Sequence, residues 1–152
     1  MDSKNLLKLE EHICFSLYAC SRAIFRMYRP LLDELELTYP QYLVLLVLWD
    51  RRECSIKELS ETLSLDSGTL TPMLKRMEAA KLITRERSAN DERVVNIRIT
   101  ESGMALQERA VCIPEAMLAS SGMTAEEATE LNHAIKKLMS HVERVQPQDQ
   151  DK

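Results

Sequence analysis

Glycine and proline are scarce in this chain, with 3 Gly and 5 Pro among 152 residues. That excludes a turn-rich all-β fold and a disordered chain, both of which use more of them. No run of about 18 apolar residues appears, which excludes a membrane-spanning helix. No signal-peptide pattern opens the sequence, and its 4 Cys (Cys14, Cys20, Cys54 and Cys112) show no regular spacing. A disulfide-stapled secreted scaffold is therefore not expected, and reduced thiols in a cytoplasmic protein are. With 45% hydrophobic and 29% charged residues the chain can bury its own core, and one mostly helical domain is the expectation. The formal charge of -4, from 20 basic and 24 acidic residues, argues at first against a nucleic-acid partner.

The bulk charge hides an asymmetry. Residues 75–99 hold 7 basic side chains (Lys75, Arg76, Lys81, Arg85, Arg87, Arg93 and Arg98) against 4 acidic ones. That window carries +3 while the rest of the chain carries -7. Phosphate binding depends on local Lys and Arg rather than on the sum, so the window is a candidate for DNA. A solvated helix face followed by a charged hairpin is the blander alternative.

Leu6, Leu9, Ile13, Leu17, Cys20, Ile24, Met27, Leu31 and Leu35 recur at steps of three or four. This predicts one long amphipathic helix of about eight turns ending near Leu35. A helix this long packs against a second chain or spans the whole fold. Thr38, Pro40 and Gln41 form a capping box for a second helix, whose run from Tyr42 to Trp49 is apolar on nearly every side. Ser55 and Glu58 cap a short third helix through Leu63. The stretch from Asp66 to Thr69 opens a fourth through Leu70, Met73, Leu74, Met77 and Ala80. Pro72 bends that helix if it starts as early as Asp66.

Beyond Lys81 the period shortens to that of strands, at 82–87 and 93–99, around a polar tip at 88–92. Thr100 with Gly103 starts a helix running towards Ala119, and Thr124 with Glu127 caps a last one. Residues 146–152 read as a frayed tail.

Two short helices, then a basic-flanked hairpin, make a winged helix-turn-helix: mainly α with a small β-wing. Ser67, Thr69 and Thr71 lie near the N-terminus of the fourth helix, the end that recognition helices present to bases. Lys75 and Arg76 follow one turn later, within reach of phosphates, and Arg85 adds to the basic window. Hydroxyls at a helix start are often plain caps, so these residues alone say little.

The run from Leu65 to Met77, then Lys81-Leu82-Ile83, Asp91-Glu92-Arg93 and Ile99 to Gly103, closely resembles the MarR family of transcription regulators. The resemblance implies a homodimer on a palindromic double-stranded operator. Residues 1–37 and 100–145 would be dimerisation helices, and 38–99 the winged domain. It also implies that Arg93 enters the minor groove from the wing while Asp91 holds its guanidinium. An Arg placed there reads groove shape more than base identity.

A cysteine on a helix is by default a small buried hydrophobe, and Cys20, on the apolar stripe, fits that reading. Cys14 has different company. Cys14-Phe15-Ser16-Leu17-Tyr18, Tyr28-Arg29-Pro30-Leu31-Leu32 and Leu37 to Leu43 resemble the organic-hydroperoxide-sensing OhrR branch of the same family. The resemblance implies that Cys14 is the peroxide sensor, with Tyr18, Tyr28 and Tyr39 as the tyrosines around its sulfur. Phenol hydroxyls favour a thiolate, the species that attacks a peroxide.

Tyr28 lies fourteen residues beyond Cys14 on one helix, a rise of about 21 Å, so it can approach only the cysteine of a partner subunit. The bland alternative is that these tyrosines only pack an interface. Cys20, about 9 Å up the axis from Cys14, is out of disulfide reach. In two-cysteine members of the branch a resolving cysteine follows a Pro-Glu that corresponds to Pro114-Glu115, and none stands there in this chain. Cys112, just before it, is the remaining candidate resolving thiol, against a core role. A mixed disulfide with a low-molecular-weight thiol is the favoured expectation.

The sequence therefore predicts a repressor that leaves its operator when an organic hydroperoxide oxidises Cys14. One rival keeps the DNA binding but replaces oxidation with a small-molecule ligand. Another makes the protein a thiol peroxidase; His12, His133 and His141 show no metal spacing with the cysteines, and neither a cofactor nor a membrane partner is expected.

Overall fold

The computed structural model describes residues 7–145, so Leu6 of the apolar stripe and the expected frayed tail lie outside the described residues. The chain forms two compact units, Met1–Ile113 and Pro114–Lys152. Their boundary falls inside the region 100–145 expected to serve dimerisation.

In the first unit the long N-terminal helix is shorter than its periodicity predicts. Helix α1 spans Ile13–Asp33, and a separate 3-10 turn covers Leu9–Glu11. His12 between them has extended backbone (φ -88°, ψ 110°). The stripe meets nothing there: Leu9 is 59% exposed and Ile13 63%. An apolar face without a partner adds little to helix stability, so the extra turns gain nothing within one chain. At the other end Leu32, Leu35 and Leu37 are buried, and the Leu37 amide closes the turn onto the Leu32 carbonyl (3.0 Å).

Helix α2 (Tyr39–Arg51) begins with the expected capping box. The Gln41 amide donates to Thr38 Oγ1 (3.4 Å), and the Thr38 amide to Gln41 Oε1 (3.0 Å). Its Tyr42, Val44, Leu45, Leu48 and Trp49 form the centre of the core, while Leu46 faces outward. Strand β1 (Glu53–Ser55) follows, then α3 (Ile56–Leu63) and α4 (Ser67–Ala79). Ser55 and Glu58 make the second expected capping box. Pro72 stands inside α4, whose helical backbone continues through it from Ser67 to Ala79. Leu59, Leu70, Leu74 and Met77 are fully buried, which fixes α3 and α4 to the core.

Strands β2 (Ile83–Arg87) and β3 (Val95–Ile99) form the expected hairpin. The sheet has order β1-β3-β2, antiparallel throughout, with Ile83 opposite Ile99 and Cys54 opposite Ile97. Helix α5 (Glu101–Ala110) packs back through Gly103. The Trp49 indole donates to the Gly103 carbonyl (2.9 Å), and a Cβ on Gly103 would stand 2.3 Å from the Leu82 carbonyl oxygen. Only glycine permits that approach.

The helix expected to run from Thr100 to Ala119 is two helices: α5 stops at Ala110, and α6 covers Ile113–Ser121. Pro114 falls in the first turn of α6, where its missing N–H costs nothing, whereas inside one continuous helix it would lose the bond to the Ala110 carbonyl. In the second unit, the Thr124 amide donates to Glu127 Oε2 (2.8 Å) and the Glu127 amide to Thr124 Oγ1 (3.2 Å). That box starts α7 (Ala125–Val145), which has no buried residue and exposes Leu131, Leu138, Met139 and Val142.

Candidate nucleic-acid interface and cysteine site

Asp66 caps α4. Its Oδ1 accepts from the Thr69 amide (2.8 Å) and its Oδ2 from the Thr69 hydroxyl (2.9 Å). Those bonds, the amide first, hold the Asp66 carboxyl below its usual range. Thr71 Oγ1 donates to the Ser67 carbonyl (2.8 Å). Both threonine hydroxyl protons are thus committed to the helix, and what they offer outward is acceptor oxygen. Ser67 and Thr71 line a cleft of about 460 Å³ together with Lys57, Arg93 and Val94. Lys75 and Arg76 are exposed further along α4.

Lys57 escaped the sequence reading because it lies in an acidic stretch whose average hid it. Only the packing of α3 against α4 and the hairpin brings it to the cleft. Arg85 departs from expectation in the other direction. Its guanidinium is held by Glu78 (Nη2 to Oε1 3.2 Å, Nε to Oε1 3.3 Å) and its side chain is only 23% exposed. The pairing joins β2 to α4 and takes Arg85 out of the candidate surface. Arg98 is likewise paired, its Nε donating to Glu53 Oε2 (2.7 Å).

The hairpin tip is a small folded object. The Ser88 amide bonds the Val94 carbonyl (2.8 Å), and the Val94 amide bonds the Asp91 carbonyl (3.0 Å). Arg87 Nη1 donates to the Glu92 carbonyl (2.8 Å). Asp91 Oδ1 accepts from both the Arg93 amide (3.0 Å) and Arg93 Nε (3.2 Å). The Arg93 side chain, with the Arg93 amide second, holds the Asp91 carboxyl below its usual range. The Arg93 side chain remains 91% exposed, so it is aimed and available at once. An exposed ion pair stabilises a fold very little. Its effect here is to orient a cation.

Cys14 is the second residue of α1 and exposed, with Tyr18 one turn further on. Tyr18 carries the Arg22 guanidinium 5.6 Å from its ring centre. Tyr28 stands fourteen residues further along α1, and Tyr39, the first residue of α2, packs on it with ring centres 4.8 Å apart, in a cluster with Phe25 and Tyr42. The structure thus divides the four residues into two pairs, separated by about 21 Å of helix. Burial pushes the Tyr28 phenol up, with Tyr39 and Tyr42 adding to it, and burial does the same for Tyr39. Both remain neutral O–H donors.

Cys20 is exposed rather than buried, because within one chain nothing covers the stripe. Cys112 is exposed too, which removes its expected core role. The Tyr42 phenol is raised by burial, then by Tyr39 and then by Cys112, while the Cys112 thiol donates to the Arg109 carbonyl (3.6 Å). Cys54 on β1 is the one buried cysteine among the described residues, and burial first, then Glu58, pushes its thiol up.

Residues 26–110 match the family model of SarA/Rot transcriptional regulators. The chain is 52% identical over 133 residues to the organic hydroperoxide resistance transcriptional regulator of Bacillus subtilis, covering 88% of this chain and 90% of that one. The protein belongs to the MarR family of winged-helix transcription regulators. As a MarR-family member it is a DNA-binding regulator, and it is similar to the organic hydroperoxide resistance branch of the family.

Among solved MarR-family structures it resembles reduced AbfR bound to DNA, at 34% identity and TM-score 0.75 over 91% of this chain and 97% of that one. AbfR is a protein of Staphylococcus epidermidis. Its disulfide form is also similar, at 33% identity and TM-score 0.60 over 93% and 94% of the two chains. No helix among the described residues is long and apolar enough to cross a membrane.

Proposed function

We propose that this protein is a dimeric, cytoplasmic repressor that holds a palindromic operator while Cys14 is reduced and releases it when an organic hydroperoxide oxidises Cys14. The observation that carries this reading is the separation of Cys14 along α1 from Tyr28, on which Tyr39 of α2 packs. Two neutral phenols, packed ring on ring, form a donor pair that no cysteine of the same helix can use. An antiparallel second copy would bring the partner subunit's Cys14 to that pair, and its apolar α1 face would cover the exposed stripe.

The Cys14 thiolate attacks the distal peroxide oxygen. The O–O bond breaks, the alkoxide leaves with a proton, and the sulfur becomes a sulfenic acid. A low-molecular-weight thiol then condenses with it and water departs. Cys112 is a second candidate for that thiol, because it is exposed and its charge is felt at Tyr42 of the tyrosine cluster. Ser67, Thr71, Lys57 and Arg93 around the cleft, with Thr69, Lys75 and Arg76 on α4, would contact DNA. The two recognition helices must match successive major grooves, so a small rotation between subunits loses the register.

Replacing Cys14 by Ser tests this directly. Operator binding by the reduced protein should persist, and release by organic hydroperoxide should vanish, read by fluorescence anisotropy. Release that survives in Cys14→Ser overturns the redox reading. Release by a small molecule under fully reducing conditions would favour the ligand-controlled alternative.

A further inference from the structure

A second cleft, of about 370 Å³, opens in the first unit beside the tyrosine pair. Phe25, Leu37 and Tyr39 contribute to its lining, and Arg26, Arg29 and Asp33 bring charge to it. Arg26 and Arg29 are three residues apart on α1 and therefore share a face. The ion pairs among the described residues are Arg85–Glu78, Arg93–Asp91 and Arg98–Glu53, so neither α1 arginine is neutralised by one. Two guanidinium groups against the single Asp33 carboxylate leave the lining with a net positive charge. Apolar wall and cationic edge together suit an amphipathic anion. The cleft touches Tyr39, whose ring packs on Tyr28, so its occupant would lie next to the place where the partner's Cys14 is proposed to react.

We propose that Arg26 and Arg29 form a specificity subsite which binds the carboxylate of an organic hydroperoxide and so favours anionic peroxides over neutral ones of the same length. The inference rests on the peroxide-sensing reading above and deepens it. Guanidinium groups are suited to this task because they stay charged at all physiological pH and can bind a carboxylate through two parallel N–H bonds. Asp33 opposes the anion and limits the gain. Neutral peroxides would enter along the apolar wall alone.

The test compares a hydroperoxide of an unsaturated fatty acid with that of its methyl ester, which has the same chain and no charge. Full-length reduced protein is mixed with each, below the concentration at which either forms micelles, and oxidation of Cys14 is followed by quenched intact mass. The acid should react roughly five- to tenfold faster than the ester, the size expected of one or two partly solvated guanidinium contacts. In the double variant Arg26→Gln, Arg29→Gln the acid-to-ester ratio should fall to about one, and in Asp33→Asn it should rise above wild type. Circular dichroism checks that each variant is folded, and the Asp33 variant tests the charge argument without removing either arginine.

Equal rates for acid and ester in the wild type overturn the subsite and leave the peroxide reading standing. A ratio that persists in the arginine variant does the same. If neither peroxide oxidises Cys14, the sensing reading fails and the subsite with it.

Discussion

The surface around α4 and the wing differs from the residues strung along α1 in where its parts come from. Between Ser55 and Val95 one chain assembles a cleft with its cations, its capped helix start and an arginine already aimed by Asp91. On α1 the same chain places Cys14 and Tyr18 near one end and Tyr28 towards the other, where Tyr39 of α2 packs on it. The first arrangement is complete in a monomer, and the second calls for another copy. A regulator built this way can change its sensing chemistry without remaking its DNA surface. In the proposed dimer its signal would arise at the junction between subunits, where a small displacement would alter the spacing of the two reading heads.

The sharpest way to break this comparison is to disable the reading surface alone. Arg93→Ala should weaken operator binding by roughly 10- to 100-fold, about 1–3 kcal/mol, measured by anisotropy at fixed salt. Cys14 should still react with peroxide at the wild-type rate. Lost reactivity in that variant would show that the two regions are not separable.

A smaller effect, near tenfold on the rate of Cys14 oxidation, is expected from replacing the phenols in Tyr28→Phe, Tyr39→Phe, if each lost hydrogen bond to the thiolate contributes about 1 kcal/mol or less. Mixed dimers locate the interaction. One chain with Cys14→Ser and one with both Phe substitutions together hold one intact cysteine facing one intact tyrosine pair. Such heterodimers should recover fast oxidation. If they react only as slowly as the double-Phe homodimer, the pairing across subunits is wrong.

The smallest effect concerns the scaffold. Lys81 closes α4 with φ at 61°, a left-handed conformation that favours glycine. Lys81→Gly should stabilise the winged region by about 0.5–1 kcal/mol in urea unfolding, part of the relief being lost to the freer unfolded chain. It should leave Cys14 reactivity alone.

What was legible in the sequence was local. The capping boxes at Thr38–Gln41, Ser55–Glu58 and Thr124–Glu127 formed as read, because each is a bond between residues three apart. Asp91 and Arg93 met for the same reason, two residues apart in a tight turn. Periodicity marked the apolar face of α1 correctly. It could not say whether anything covers that face, and so it overestimated the helix and misplaced Cys20 in a core. Pro114 is visible too, but the apolar run around it has the pattern of one helix.

The rest was decided by tertiary structure. Strand β1 exists because β3 lies beside it, and three residues carry no signal of their own. Arg85 is withdrawn by Glu78 across the α4–β2 junction, while Lys57 enters the cleft from a helix that charge averaging had set aside. The sequence by itself determined the order of the main helices and the hairpin, the caps and the residue types at the two sites. Which charges stay free, and which cysteines are covered, depended on contacts between distant segments, whose energies no local pattern encodes.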